Sequence, residues 1–112
     1  SISTEQTFDK DTQNIKELKS IILAMVEKVA FQLRDATLMC STIAVRIRYS
    51  NRDTESAQKK LPFTANDDVL ITAAHELFDR LYARRMLLRL VGVKLSGLVH
   101  GNQQINLFRD DI

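Results

Sequence analysis

Thr42-Ile43-Ala44-Val45-Arg46-Ile47-Arg48-Tyr49 alternates without a break. Ile43, Val45, Ile47 and Tyr49 fall on one side, and Thr42, Ala44, Arg46 and Arg48 fall on the other. Successive side chains of a strand point to opposite faces, so this stretch is a half-buried strand with an apolar face and a basic, solvent-facing one. The rest of the chain has to supply whatever covers the apolar face.

The neighbouring segments supply it. After the strand, Ser50-Asn51-Arg52-Asp53-Thr54 has the composition of a turn. Glu55 to Phe63 then reads as the return strand of a hairpin. It puts Ser56, Gln58 and Lys60 on one face, Ala57, Lys59 and Leu61 on the other, and is expected to stop at Pro62, which cannot donate to a ladder. Before the strand, Leu18, Ile22, Met25, Val29 and Leu33 recur at spacings of three and four, with no Gly or Pro, which predicts an amphipathic helix to about Arg34. Cys40 is expected to be a small buried hydrophobe at the entry to the strand.

Further out, Ser1 to Phe8 alternates and reads as a first strand, and Asp9 to Thr12 as a polar turn. Thr64 to Asp68 offers capping and early acidic residues for a second helix, whose stripe is Leu70, Ala73, Ala74, Leu77 and Leu81. Met86 to Leu95 is a largely apolar last strand, with Gly92 inside it marking a bulge or a close backbone approach. Ser96 to Asn102 reads as a loop. The fold class is α+β: a four-stranded, antiparallel-rich sheet in βαββαβ order, backed on one face by two helices, with the other face wet.

Bulk properties narrow the function. At 112 residues and 45% hydrophobic, the chain can build one domain with a real core. Sixteen Lys and Arg against fourteen Asp and Glu leave a net charge of only +2. Cations concentrated on one face therefore matter more than the total. A single cysteine excludes an internal disulfide and suits a reducing cytoplasm. No stretch is apolar and long enough to be expected to span a membrane. The opening Ser-Ile-Ser, without Met, is expected to be a cut from a longer protein.

The residues do not make a catalytic constellation. His75 and His100 are isolated, there is no glycine-rich phosphate loop, and Asp67-Asp68 sit where a helix begins. What remains is a basic strand face and a tail. Arg46, Arg48 and Lys60, interleaved with Thr42, Ser56 and Ser3, suit phosphate contacts, and they equally suit an ordinary solvated face. The face is poor in aromatics, which argues against base stacking. In the tail, Gln104-Ile105-Asn106-Leu107-Phe108 precedes Asp110-Asp111. Its Leu-Phe pair is either an anchor for a partner's pocket or folds back on its own domain.

Four stretches together resemble one family. Ser1-Ile2-Ser3 with Glu5, Thr7 and Phe8, then Val45 to Ser50, then Arg89-Leu90-Val91-Gly92-Val93-Lys94-Leu95-Ser96, and finally Gln104 to Phe108 are similar, in order, to the little-finger (polymerase-associated) domain of bacterial Y-family translesion DNA polymerases. The resemblance implies a four-stranded sheet backed by two helices whose open face grips the backbone of duplex primer-template DNA. It implies that Ser1, Ser3, Arg46, Arg48, Lys60, Arg89 and Lys94 contact phosphate. It further implies that Gln104, Leu107 and Phe108 bind the bacterial sliding clamp, the Gln amide orienting and the Leu-Phe pair filling a pocket. Residues 1–102 would be the DNA-binding domain and 103–112 the clamp-binding tail. The parent would be a cytoplasmic DNA-directed polymerase whose Mg ions sit in a palm domain absent here, so this chain would itself be non-catalytic and need no cofactor. A protein-interaction domain without DNA contact is the alternative.

Overall fold

The apolar face of the central strand is covered as its pattern requires. The computed structural model describes residues 1–100. Along them run β1 (Ile2–Thr12), α1 (Ile15–Asp35), β2 (Leu38–Tyr49), β3 (Thr54–Thr64), α2 (Asp67–Leu81), β4 (Leu88–Ser96) and a short β5 (Val99–His100). The main strands lie side by side in the order β1-β4-β2-β3, every neighbour antiparallel, and β5 pairs with the start of β2. The result is an antiparallel sheet of five strands with two helices, an α+β fold. β4 comes late in the chain yet sits between β1 and β2, so each helix carries the chain across an intervening strand.

Local chemistry starts both helices. The Asn14 side chain accepts from the backbone N–H of Glu17 at 3.2 Å, and Asn66 does the same for Val69 at 3.1 Å. Each satisfies an N–H that the first helical turn leaves without a partner. Glu17 in one first turn, and Asp67 and Asp68 in the other, favour the positive ends of the helix dipoles. The Asp pair is thus part of a helix start, and Asp67 is paired with Arg34 of α1.

Leu18, Ile22, Met25, Val26, Val29, Ala30 and Leu33 of α1 are buried, as are Leu70, Ala73, Ala74, Leu77 and Phe78 of α2. They close over Ile43, Val45, Ile47 and Tyr49 of β2 and Leu88, Val91, Val93 and Leu95 of β4. Burying each large aliphatic side chain stabilises by roughly 1.5–3 kcal/mol, whereas an exposed ion pair gives about 0–1 kcal/mol. The core therefore holds the fold, and surface charge is free to serve other ends. Cys40 is fully buried within this core, and burial pushes its thiol up from the ordinary value.

Three segments differ from the sequence expectation. β1 runs on through Asp9–Thr12, where a turn was expected, because Thr12 still pairs with Leu88 of β4 and an irregularity between Thr7 and Thr12 absorbs the extra residues. β3 continues past Pro62 to Thr64, because β3 is an edge strand and a proline there removes no bond from the interior of the sheet. Ser96–Asn102 reads as a loop from the sequence, and its last two residues lie outside the described ones. Instead the chain turns at Gly97, with φ at +65°, and adds β5 against Leu38 and Met39.

Gly97 is required at that turn. A Cβ there would lie 2.1 Å from the Ser41 hydroxyl, which donates to the Gly97 carbonyl at 3.2 Å, and the positive φ disfavours any L side chain. Gly97→Ala is expected to lower stability by on the order of 1–2 kcal/mol, read as a drop in the urea midpoint at unchanged slope. An unchanged midpoint would show that the turn can rearrange freely.

Candidate nucleic-acid interface

The face of the sheet opposite the helices is read off the strand registers, because residues directly opposite one another share a face. Its first row is Ser3, Lys94, Ala44 and Gln58. The second is Glu5, Gly92, Arg46 and Ser56, and the third is Thr7, Leu90, Arg48 and Thr54. Ser96, Thr42 and Lys60 form another row beyond Lys94. The sequence-predicted residues Ser3, Arg46, Arg48, Lys60 and Lys94 are thus brought onto one open face, and Ser1 lines the same groove as Ser3, Arg46 and Lys94.

Gly92 explains the hollow in the middle of that groove. The register runs through it unbroken, so it is not a bulge. A Cβ at Gly92 would come within 3.2 Å of the Glu5 Cβ on β1, so the missing side chain lets Glu5 and Arg46 approach from either side. The irregularity lies instead at Arg89: Arg48 is opposite Leu90 but Tyr49 is opposite Leu88, leaving Arg89 as the extra residue on β4. That extra residue is why Arg89 and Lys94, an odd number of positions apart, both reach the open side. Arg89 is not free, however. Its Nε donates to Asp11 at 3.0 Å.

Several cations outside the groove are paired with carboxylates. On the helix side, Lys19 pairs with Asp79 at 2.9 Å, Lys59 with Glu76 at 2.8 Å and Arg84 with Asp53 at 2.7 Å. The hydrogen bond from Lys59 holds the Glu76 carboxyl below its usual range, and that from Arg84 does the same to Asp53. On the open face, Arg46, Arg48, Lys60 and Lys94 have no carboxylate within ion-pair distance among the described residues. Hydroxyls of Ser1, Ser3, Ser56 and Ser96 and the Gln58 amide stand between them. Such a surface can neutralise phosphates and add positioning hydrogen bonds. Glu5, Gln58, Ser96 and Arg52 are not among the sequence-predicted site residues, although strand alternation already puts Gln58 on the face of Ser56 and Lys60.

His75 is half-buried, its Nε2 3.1 Å from the Lys19 carbonyl, in keeping with a boundary histidine. Among the described residues, no three His, Cys, Asp or Glu side chains are arranged to hold a metal ion. No helix among them is long and apolar enough to cross a membrane. Gln104, Leu107 and Phe108 lie outside the described residues, as does the expected 102/103 boundary.

Fold and open face together define the class: an α+β platform domain, apolar toward its helices and cationic on its exposed sheet. Within that class, the chain belongs to the impB/mucB/samB family C-terminal domain, which matches residues 1–107, and it has the little-finger fold of the Y-family polymerases. It is 34% identical over 110 residues to the DNA polymerase IV of Clostridium acetobutylicum, covering 96% of this chain and 27% of that protein. It is also 34% identical over 102 residues to the DNA polymerase IV of Methanoculleus marisnigri, covering 90% and 28%. The chain therefore spans little more than a quarter of the length of these curated relatives. Among solved structures, it is similar to an insertion ternary complex of Dbh DNA polymerase, with a TM-score of 0.76 at 20% identity, covering 88% of this chain and 28% of that one. It is also similar to the chain in a complex of the beta-clamp processivity factor and the little finger domain of PolIV, with a TM-score of 0.69 at 20% identity, covering 85% and 86%.

Proposed function

We propose that this domain is the DNA-grip and sliding-clamp tether module of an error-prone translesion DNA polymerase, holding the duplex backbone during damage bypass in the cytoplasm. The observation that carries the reading is the open sheet face, where Arg46, Arg48, Lys60 and Lys94 are gathered among hydroxyls with no ion-pair partner among the described residues. What sets these four apart is that the strand registers gather them on one face, where an external anion can meet several at once. The groove is open and sets Arg46 and Lys94 among serine hydroxyls, an arrangement that suits phosphate oxygens. The relatives named DNA polymerase IV, and the solved ternary complex and clamp complex, support the same reading. Nucleotidyl transfer and its Mg ions belong, on this reading, to other parts of the parent protein.

The test is a salt titration of duplex binding by fluorescence anisotropy. Four phosphate contacts predict a slope of log K against log salt of about −3.6, at −0.9 per contact, and near indifference to sequence. A flat salt response, or strong sequence preference, would overturn the phosphate reading.

A further inference from the structure

We infer that the β2–β3 turn builds a second phosphate seat beside the groove, with Arg52 as its added cation. The inference rests on the DNA-grip reading and extends it to a residue that reading does not use. Arg46 and Arg48 lie two positions apart on one face of β2, yet they line separate depressions. Arg46 belongs to the groove with Lys94. Arg48 faces a second depression at the end of the sheet, shared with Arg52 and Arg89. Three arginines lining one hollow suit a phosphate oxyanion, because each guanidinium offers a planar fork of donors to two of its oxygens.

The three are differently engaged. Arg89 gives its Nε to Asp11 and Arg48 gives its Nε to Thr54 at 3.3 Å. Arg52 makes no ion pair among the described residues and is exposed. It is the member with most to gain from a ligand.

The turn holds Arg52 in a costly conformation. Its φ is +77°, a region that L side chains rarely adopt and that glycine or asparagine usually fills. The surroundings enforce it. Tyr49 N–H donates to the Asp53 carbonyl, Arg52 N–H donates to the Tyr49 carbonyl and Ser50 N–H donates to the Leu87 carbonyl, each at 2.9 Å. The Asn51 side chain accepts from Asp53 N–H at 3.0 Å. Arg84 clamps the Asp53 carboxylate at 2.7 Å while its guanidinium lies 5.1 Å over the Tyr49 ring. A strained position retained by a well-determined frame points to a use for the side chain it carries. The frame also spares the ligand the cost of ordering the turn.

Arg52→Gly tests this cleanly, since it removes the guanidinium and the strain together. Its thermal midpoint is expected to hold or rise, so lost binding cannot be blamed on misfolding. Duplex binding is expected to fall about eightfold near 0.1 M salt, with a slope shallower by about 1, while Arg52→Lys retains most of the slope. Arg46→Ala is run beside it as the groove control. If Arg46→Ala weakens binding and Arg52→Gly does not, the second seat is overturned and the groove reading stands. If neither variant changes binding, both readings fall.

Discussion

Arg46→Ala combined with Lys94→Ala is expected to weaken duplex binding up to about a hundredfold near 0.1 M salt and to flatten the salt slope by about two. The size follows from counterion release. A contact that contributes −0.9 to the slope is worth about a factor of ten in affinity between 1 M and 0.1 M salt, and two contacts multiply. The curves of the double variant and the unaltered chain should therefore converge as salt approaches 1 M. Neither side chain supports the fold. Both are exposed, neither is ion-paired among the described residues, and their cross-strand neighbours Gly92 and Ala44 are small. Circular dichroism and melting should be close to those of the unaltered chain. The check is anisotropy at several salt concentrations on one labelled duplex. Unchanged affinity would remove the groove from the interface. A loss that persisted undiminished at 1 M would mean the residues act through structure and not through phosphate.

Most of this interface was legible because β2 alternates. Ile43, Val45, Ile47 and Tyr49 need a core, so Arg46 and Arg48 must face water, and the hairpin register then carries Lys60 to the same side. The amphipathic stripes of α1 and α2 were equally local signals, and the buried residues fall on them. What was not legible depends on pairings between distant segments. Nothing near Asp9–Thr12 announces that β4 will extend the first strand, and Asp11 owes its place to Arg89, 78 positions away in sequence. Pro62 stops a central strand but not an edge strand, and which strand lies at the edge is a fact of topology. Gly92 reads equally as a bulge or as a close approach until Glu5 is seen opposite it. Arg52 sits in a turn whose composition says turn and nothing more; its left-handed φ is imposed by Leu87 and Arg84, which no local pattern connects to it.

Leu107→Ala combined with Phe108→Ala is expected to abolish binding to a bacterial sliding clamp while leaving duplex binding intact. The two residues lie outside the described part of the structure, so the argument rests on the proposed clamp tether and on the chemistry of the peptide. Gln104-Ile105-Asn106-Leu107-Phe108 offers the Gln104 amide and the adjacent large apolar Leu107 and Phe108 within five residues. In interfaces of this kind a few buried anchors dominate, and truncating one costs about 2 kcal/mol or more. Losing two together amounts to roughly a thousandfold, since each 1.4 kcal/mol is a factor of ten, which takes micromolar binding out of reach of detection. Gln104→Ala, which removes one orienting amide and no apolar area, should cost about tenfold. The DNA face is the internal control, because Arg46, Arg48, Lys60 and Lys94 are untouched. Surface plasmon resonance against immobilised clamp, run beside the anisotropy assay, separates the outcomes. Clamp binding lost with duplex binding kept makes the tail a tether independent of the grip. Equal clamp binding by both proteins would exclude the Leu-Phe anchor, and a fall in melting temperature of the double variant would mean that the pair packs on its own domain.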